Sequence, residues 1–127
     1  MDPFQNFSDL FKVLSHPARL AILAILRDGE QCVCHIEAIL GLRQAYISQQ
    51  LTVLREAGII EDRRDGWNIF YRVIKPEVYT LLDQVGETLG EQFTKSSSIP
   101  RTTDCPCPKC NLPGEAVASK EQVATKE

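Results

Sequence analysis

Five cysteines fall in two short clusters, Cys32-Val33-Cys34 and Cys105-Pro106-Cys107-Pro108-Lys109-Cys110. Thiolates are soft ligands suited to thiophilic ions, and they also oxidise to disulfides or persulfides. The odd number of cysteines favours a reducing cytoplasm with free or metal-bound thiols. So does the start, Met1-Asp2-Pro3-Phe4-Gln5, which lacks the basic-then-apolar form of a secretory leader.

Two cysteines separated by one residue point to nearly opposite sides of a regular helix, but to the same side of an extended segment. Cys32 and Cys34 lie where the loop at Gly29 gives way to the next helix. Joint ligation therefore requires that helix to begin after Cys32, or its first turn to unwind. A helix N-terminus favours the thiolate form that binding needs. The alternative is that both cysteines fill core space. His35 follows directly and is read as a surface residue rather than a ligand.

The second cluster places three thiols within six residues between prolines, and Cys107-Pro108-Lys109-Cys110 has the spacing of half a zinc site. A coil linker of about 12 residues spans roughly 17–21 Å, enough to bring these thiols to the first pair. An idle tail, or one that binds metal by itself, is the alternative.

The elements that position these groups follow from periodicity. Phe4, Phe7, Phe11 and Leu14 mark a first amphipathic helix. Ser15-His16-Pro17 starts a second, nearly all apolar from Ala18 to Leu26. A short helix runs over 33–40 and closes at Gly41, and another runs over 44–57 and closes at Gly58. Strands are predicted over 59–63 and 67–73, joined through Arg64-Asp65-Gly66. A last helix, opened by Pro76, runs to about Phe93 with Val78, Leu81, Leu82, Val85 and Leu89 along one stripe. The chain divides into a folded unit, 1–93, and a flexible Cys/Pro-containing tail, 94–127. The fold class is mostly α with a small β-hairpin wing. The first and last helices carry more apolar surface than so small a core absorbs, and a homodimer built through them would bury the excess. No apolar run reaches membrane-spanning length.

Residues 33–57 read as a helix, a tight turn and a longer helix. In the longer helix Ile47, Leu51 and Leu54 form the core face. The other face carries Gln44, Ala45, Ser48, Gln49, Thr52 and Arg55, which are small, largely neutral and hydrogen-bonding, as a helix entering a DNA major groove requires. Arg63 and Arg64 at the hairpin tip suit phosphate or minor-groove contact. The net charge of −3 argues against non-specific basic binding, not against a local DNA site. An ordinary helical hairpin beside a solvated turn is the alternative.

Leu42 to Gly58 resembles the recognition helix of the ArsR/SmtB winged-helix repressors. Leu14-Ser15-His16-Pro17-Ala18-Arg19-Leu20 is similar to that family's second-helix start, and Arg63-Arg64-Asp65-Gly66-Trp67 to its wing. The resemblance implies a winged helix-turn-helix homodimer that binds double-stranded operator DNA when empty and lets go when a metal or metalloid binds. It also implies an effector site at Cys-Val-Cys. The family's arsenite sensors place a further cysteine three residues on, where this chain has Glu37. Its cadmium and lead sensors complete the pair with cysteines from a terminal segment. Gln49 and Gln50 stand where histidines are frequent in the family. The carboxylate–histidine site of the last helix has no histidine here, only Asp83 and Glu87.

The expectation is thus a cytoplasmic, non-enzymatic repressor released by As(III) or Sb(III) on Cys32 and Cys34 with one or more of Cys105, Cys107 and Cys110. Cd(II), Pb(II) or Zn(II) on the same thiols is the first alternative, and thiol oxidation or persulfidation the second. A thiol-disulfide enzyme is disfavoured, because no βαβ pattern surrounds a Cys-x-x-Cys.

Overall fold

A computed structural model describes residues 2–93. The tail cysteines therefore lie outside the described residues. The order is α1 (Pro3–Leu14), α2 (Pro17–Leu26), β1 (Gln31–Cys32), α3 (Val33–Leu40), α4 (Gln44–Glu56), β2 (Ile60–Asp65), β3 (Asn68–Val73) and α5 (Glu77–Leu89).

Local chemistry sets the helix ends. Asp2 caps α1 by accepting from the Phe4 N–H at 3.0 Å, with Pro3 in the first turn where a missing N–H costs nothing. His16 occupies the α2 cap position but makes no side-chain cap bond. Gly41 ends α3 with φ +66°, a conformation that lets the chain turn sharply into α4. The core joins Ile22, Leu23, Ile25 and Leu26 of α2, Ile36 of α3, and Ile47, Leu51 and Leu54 of α4. Ile59, Ile60, Val78 and Leu82 close it from the hairpin and α5.

Three sequence expectations are corrected. The sheet has a third strand: β1 pairs antiparallel with β3, so the order is β1-β3-β2. The hairpin loop is Gly66-Trp67, because Asp65 already pairs with Asn68. Arg63 and Arg64 consequently lie on β2, below the tip. Finally, α5 stops at Leu89 rather than near Phe93, at a left-handed Gly90. Residues 90–93 fold back, with the Glu91 N–H donating to the Gly86 carbonyl at 2.8 Å and the Phe93 ring 6.3 Å from Tyr79. A Cβ at Gly86 would meet the Glu91 carbonyl oxygen at 2.5 Å, so only glycine permits this return.

The face of α1 carrying Phe4, Phe7, Leu10 and Phe11 is exposed, as are Val85 and Leu89 of α5. No helix among the described residues is long and apolar enough to cross a membrane.

Candidate nucleic-acid interface and thiol site

The α3–turn–α4 unit presents α4 as read from sequence. Ile47, Leu51 and Leu54 are fully buried, while Gln44, Ala45, Ser48, Gln49 and Arg55 are exposed. Thr52 is half-buried, and its Oγ1 donates to the Ser48 carbonyl at 2.9 Å, so its hydroxyl is engaged within the helix. Arg55 lies 3.8 Å from Asp62 on β2. Gln50, next to the outward face, is instead buried and accepts from Arg19 Nε at 2.8 Å. Its role is to fix α4 against α2, not to read bases.

The wing separates its arginines. Arg63 donates to both carboxylate oxygens of Glu30, at 2.9 and 2.7 Å, and its guanidinium sits 4.8 Å from the Phe70 ring centroid. The hydrogen bond to Glu30 raises its pKa further. Arg72 is similarly held by Glu61 at 2.6 Å. Arg64, one residue on from Arg63, points to the other sheet face and forms no ion pair with a described residue. Arg43, immediately before α4, is also exposed and without an ion pair to a described residue. It stands at the mouth of the reading helix, a place that the sequence pattern did not single out. Trp67 stands at the wing tip, 99% exposed.

At the thiols, Cys32 ends β1 in an extended conformation and is the cap residue of α3, which begins at Val33. The helix thus begins after Cys32, as joint use of the pair requires. The Cys32 Sγ accepts the His35 N–H at 3.3 Å, the arrangement that stabilises a thiolate. Cys34, in the first turn and half-buried, packs on a small cluster of Cys32 and Phe70 that is separate from the main core. Cys32 itself is 1% exposed. His35, expected at the surface, is buried, because it falls on the inward side of α3 beside Ile36 and Ile39. Glu37, three residues after Cys34, has a buried Oε2 with no hydrogen-bond partner among the described residues. Among the described residues no three Cys, His, Asp or Glu side chains converge as a metal site. Cys32 and Cys34 are the two neighbouring thiols among the described residues.

The family described as "Bacterial regulatory protein, arsR family" matches residues 16–62. The chain is similar to the Biofilm growth-associated repressor of Agrobacterium fabrum, 47% identical over 74 residues that cover 58% of this chain and 63% of that protein. It is also similar to the arsenic resistance transcriptional regulator ArsR1 of Pseudomonas putida, 45% identical over 75 residues, covering 58% of each. The chain thus spans about three fifths of the length of these relatives. Among solved structures, the homodimeric winged helix-turn-helix DNA-binding domain Mb0332 of Mycobacterium bovis superposes with a TM-score of 0.62 and 29% identity. That match covers 68% of this chain and 81% of the other.

Proposed function

The chain belongs to the arsR family of bacterial regulatory proteins, and we propose that it is a dimeric transcriptional repressor whose hold on operator DNA is controlled by Cys32 and Cys34. One observation carries this reading. The residue that caps the helix-turn-helix unit is itself a buried thiol, with a second thiol beside it and a neutral, hydrogen-bonding helix face presented outward.

In DNA binding, Gln44, Ala45, Ser48 and Gln49 would meet base edges in the major groove, while Arg43, Arg55 and Arg64 contact phosphates. Exposed apolar faces on α1 and α5 would close the homodimer, which supplies two recognition helices for a two-fold operator.

The effector we favour is As(III) or Sb(III), each of which is satisfied by three thiolate sulfurs. Cys32 and Cys34 would hold two, and one of Cys105, Cys107 and Cys110 the third, in place of the cysteine that Glu37 replaces. The likeness to an arsenic resistance regulator supports this. Recruitment of two or more tail sulfurs would suit Cd(II), Pb(II) or Zn(II) instead. A second reading, oxidation or persulfidation of the same thiols, is favoured by the N–H bond to the Cys32 sulfur, since a thiolate is also the reactive nucleophile.

The test is titration of arsenite, antimonite, cadmium, lead and zinc into a complex of the full chain with a duplex selected from random-sequence DNA. It is repeated with Cys32→Ser, Cys34→Ser and a chain stopped before Cys105. Coupling of about 1–3 kcal/mol suffices for release. Either serine change is expected to abolish release with DNA binding intact. Normal release by both serine variants removes the pair from the mechanism. Oxidant-driven release reversed by reductant alone, with no response to any ion, selects the second reading.

A further inference from the structure

Cys32, Phe70 and Arg63 form one lateral row across the three-stranded sheet. Cys32 is the register partner of Phe70 on β3, and Phe70 is the register partner of Arg63 on β2. Side chains in one row leave the same face of a sheet, so sulfur, ring and guanidinium stand side by side. The contacts agree: Cys32 and Phe70 make a separate buried cluster, and Arg63 covers the ring at 4.8 Å. Tyr71 and Val73 alternate to the other face, toward the main core. Glu30, two residues before Cys32, then reaches over β3 to hold Arg63 through both carboxylate oxygens. A strand of only two residues is therefore fastened to the wing at two points, by the aromatic ring and by the ion pair.

We infer that this row is the route by which the thiol site and the DNA-bound wing sense one another, with Glu30 and Phe70 as positioning residues for Arg63. The inference rests on the proposed DNA-binding function and names the regulation of its thiol site. Cys32 is almost fully buried, and Phe70 is buried beside it. An added atom on that sulfur needs space, and space is gained by lifting β1 from β3 or by tilting the ring. Either movement undoes the seat of Arg63. The signal reaches DNA through the wing, in addition to any movement of α3 passed to α4.

Linkage makes the coupling reciprocal, which allows a test with no effector present. A thiol this buried reacts with an aromatic disulfide reagent only when β1 opens. The measurement uses the full chain with Cys34, Cys105, Cys107 and Cys110 changed to serine, so that Cys32 is the only thiol. Its labelling rate is followed free and bound to a duplex selected from random-sequence DNA, with binding checked by anisotropy of the labelled duplex. DNA is expected to slow labelling by about tenfold, within the ordinary range of such couplings. Glu30→Gln in the same background is expected to bind the duplex but lose most of that ratio. Glu61→Gln removes the ion pair that Arg72 makes within the wing, two rows away, and is expected to keep it. Equal rates with and without DNA overturn the inference, as does full protection in Glu30→Gln or equal loss in Glu61→Gln. If no selected duplex is bound, the DNA-binding reading falls first and the relay with it.

Discussion

Arg19 and Gln50, 31 residues apart, share a 2.8 Å hydrogen bond that ties the recognition helix to the start of α2. The same guanidinium donates from Nη1 to the Val13 carbonyl at 3.1 Å, so one side chain joins the end of α1, the start of α2 and the middle of α4. Gln50 is 6% exposed, which makes it an internal fastening within a helix whose neighbours face outward.

Removing the acceptor leaves the Nε–H of a half-buried guanidinium without its partner, while Nη1 keeps the Val13 carbonyl. Gln50→Ala is expected to cost about 1–3 kcal/mol, which in a domain of this size lowers Tm by roughly 4 °C or more. Thermal denaturation checks it. Unchanged Tm would show that water replaces the amide without loss. The affinity for DNA of the folded variant should change much less than that of Gln49→Ala.

Tyr79 offers a pH test. Its hydroxyl donates to the Leu23 carbonyl, and burial raises its pKa well above the ordinary phenol value of 10.0, against a smaller opposing effect of Arg27. The folded chain then keeps a proton that the unfolded chain releases. Stability is fully present below pH 10 and falls as pH rises above it. Tyr71 shifts the same way, first through burial and then through Asp62. Denaturant melts between pH 8 and 11.5 should therefore show a declining midpoint. Tyr79→Phe should be less stable by about 1 kcal/mol at neutral pH but decline more gently. A parallel decline in both proteins would exclude Tyr79 as the cause.

Most of this architecture was legible in the sequence because it is local. The 3.6-residue pattern of Ile47, Leu51 and Leu54, the stop at Gly41 and the opening of α3 at Val33 each depend on a few neighbouring residues. What was missed is long-range. A two-residue strand has no periodicity to read, and β1 exists only because Gln31 and Cys32 find Tyr71 and Phe70 some forty residues later. The ion pair of Glu30 with Arg63 follows from that pairing, so Arg63 read as a free wing cation. The hairpin slipped because Asp65 extends the strand, leaving Gly66, at φ +63°, as the first of two loop residues. The stripe on α5 continued to Phe93 in pattern, but Gly90 ends the helix and returns the chain. The tail thiols lie outside the described residues, so their part in the site rests on their chemistry alone.

Trp67 is the chain's one tryptophan and contacts solvent almost everywhere. A hairpin with six-residue strands projects roughly 20 Å. Half a turn of B-DNA, from the major groove to the adjoining minor groove, is about 17 Å. The wing tip is therefore expected to reach DNA when α4 is seated. Emission from Trp67 should be quenched and shielded from acrylamide on duplex binding. Trp67→Ala should weaken binding by about tenfold, the scale of one aromatic contact to nucleic acid. The indole is not packed against the described residues, so Tm should not change. Full acrylamide access in the bound state would place the wing tip in solvent.

Phe4, Phe7, Leu10 and Phe11 recur at three- and four-residue steps along α1, and all are exposed, Phe4 by 80%. A stripe of three phenylalanines left in water would cost the monomer solubility, while a dimer interface buries it. Phe7→Glu tests this without touching the core, since that side chain is already 64% exposed. Burying an unpaired carboxylate at a subunit interface costs several kcal/mol. The dimer dissociation constant should therefore rise by more than about a hundredfold, with helical content retained. Sedimentation reads the first effect and circular dichroism the second. DNA affinity should fall in step, because one recognition helix alone engages only one half of a two-fold site. A variant that sediments as a dimer and binds DNA normally would place the interface elsewhere and leave the α1 stripe without a partner.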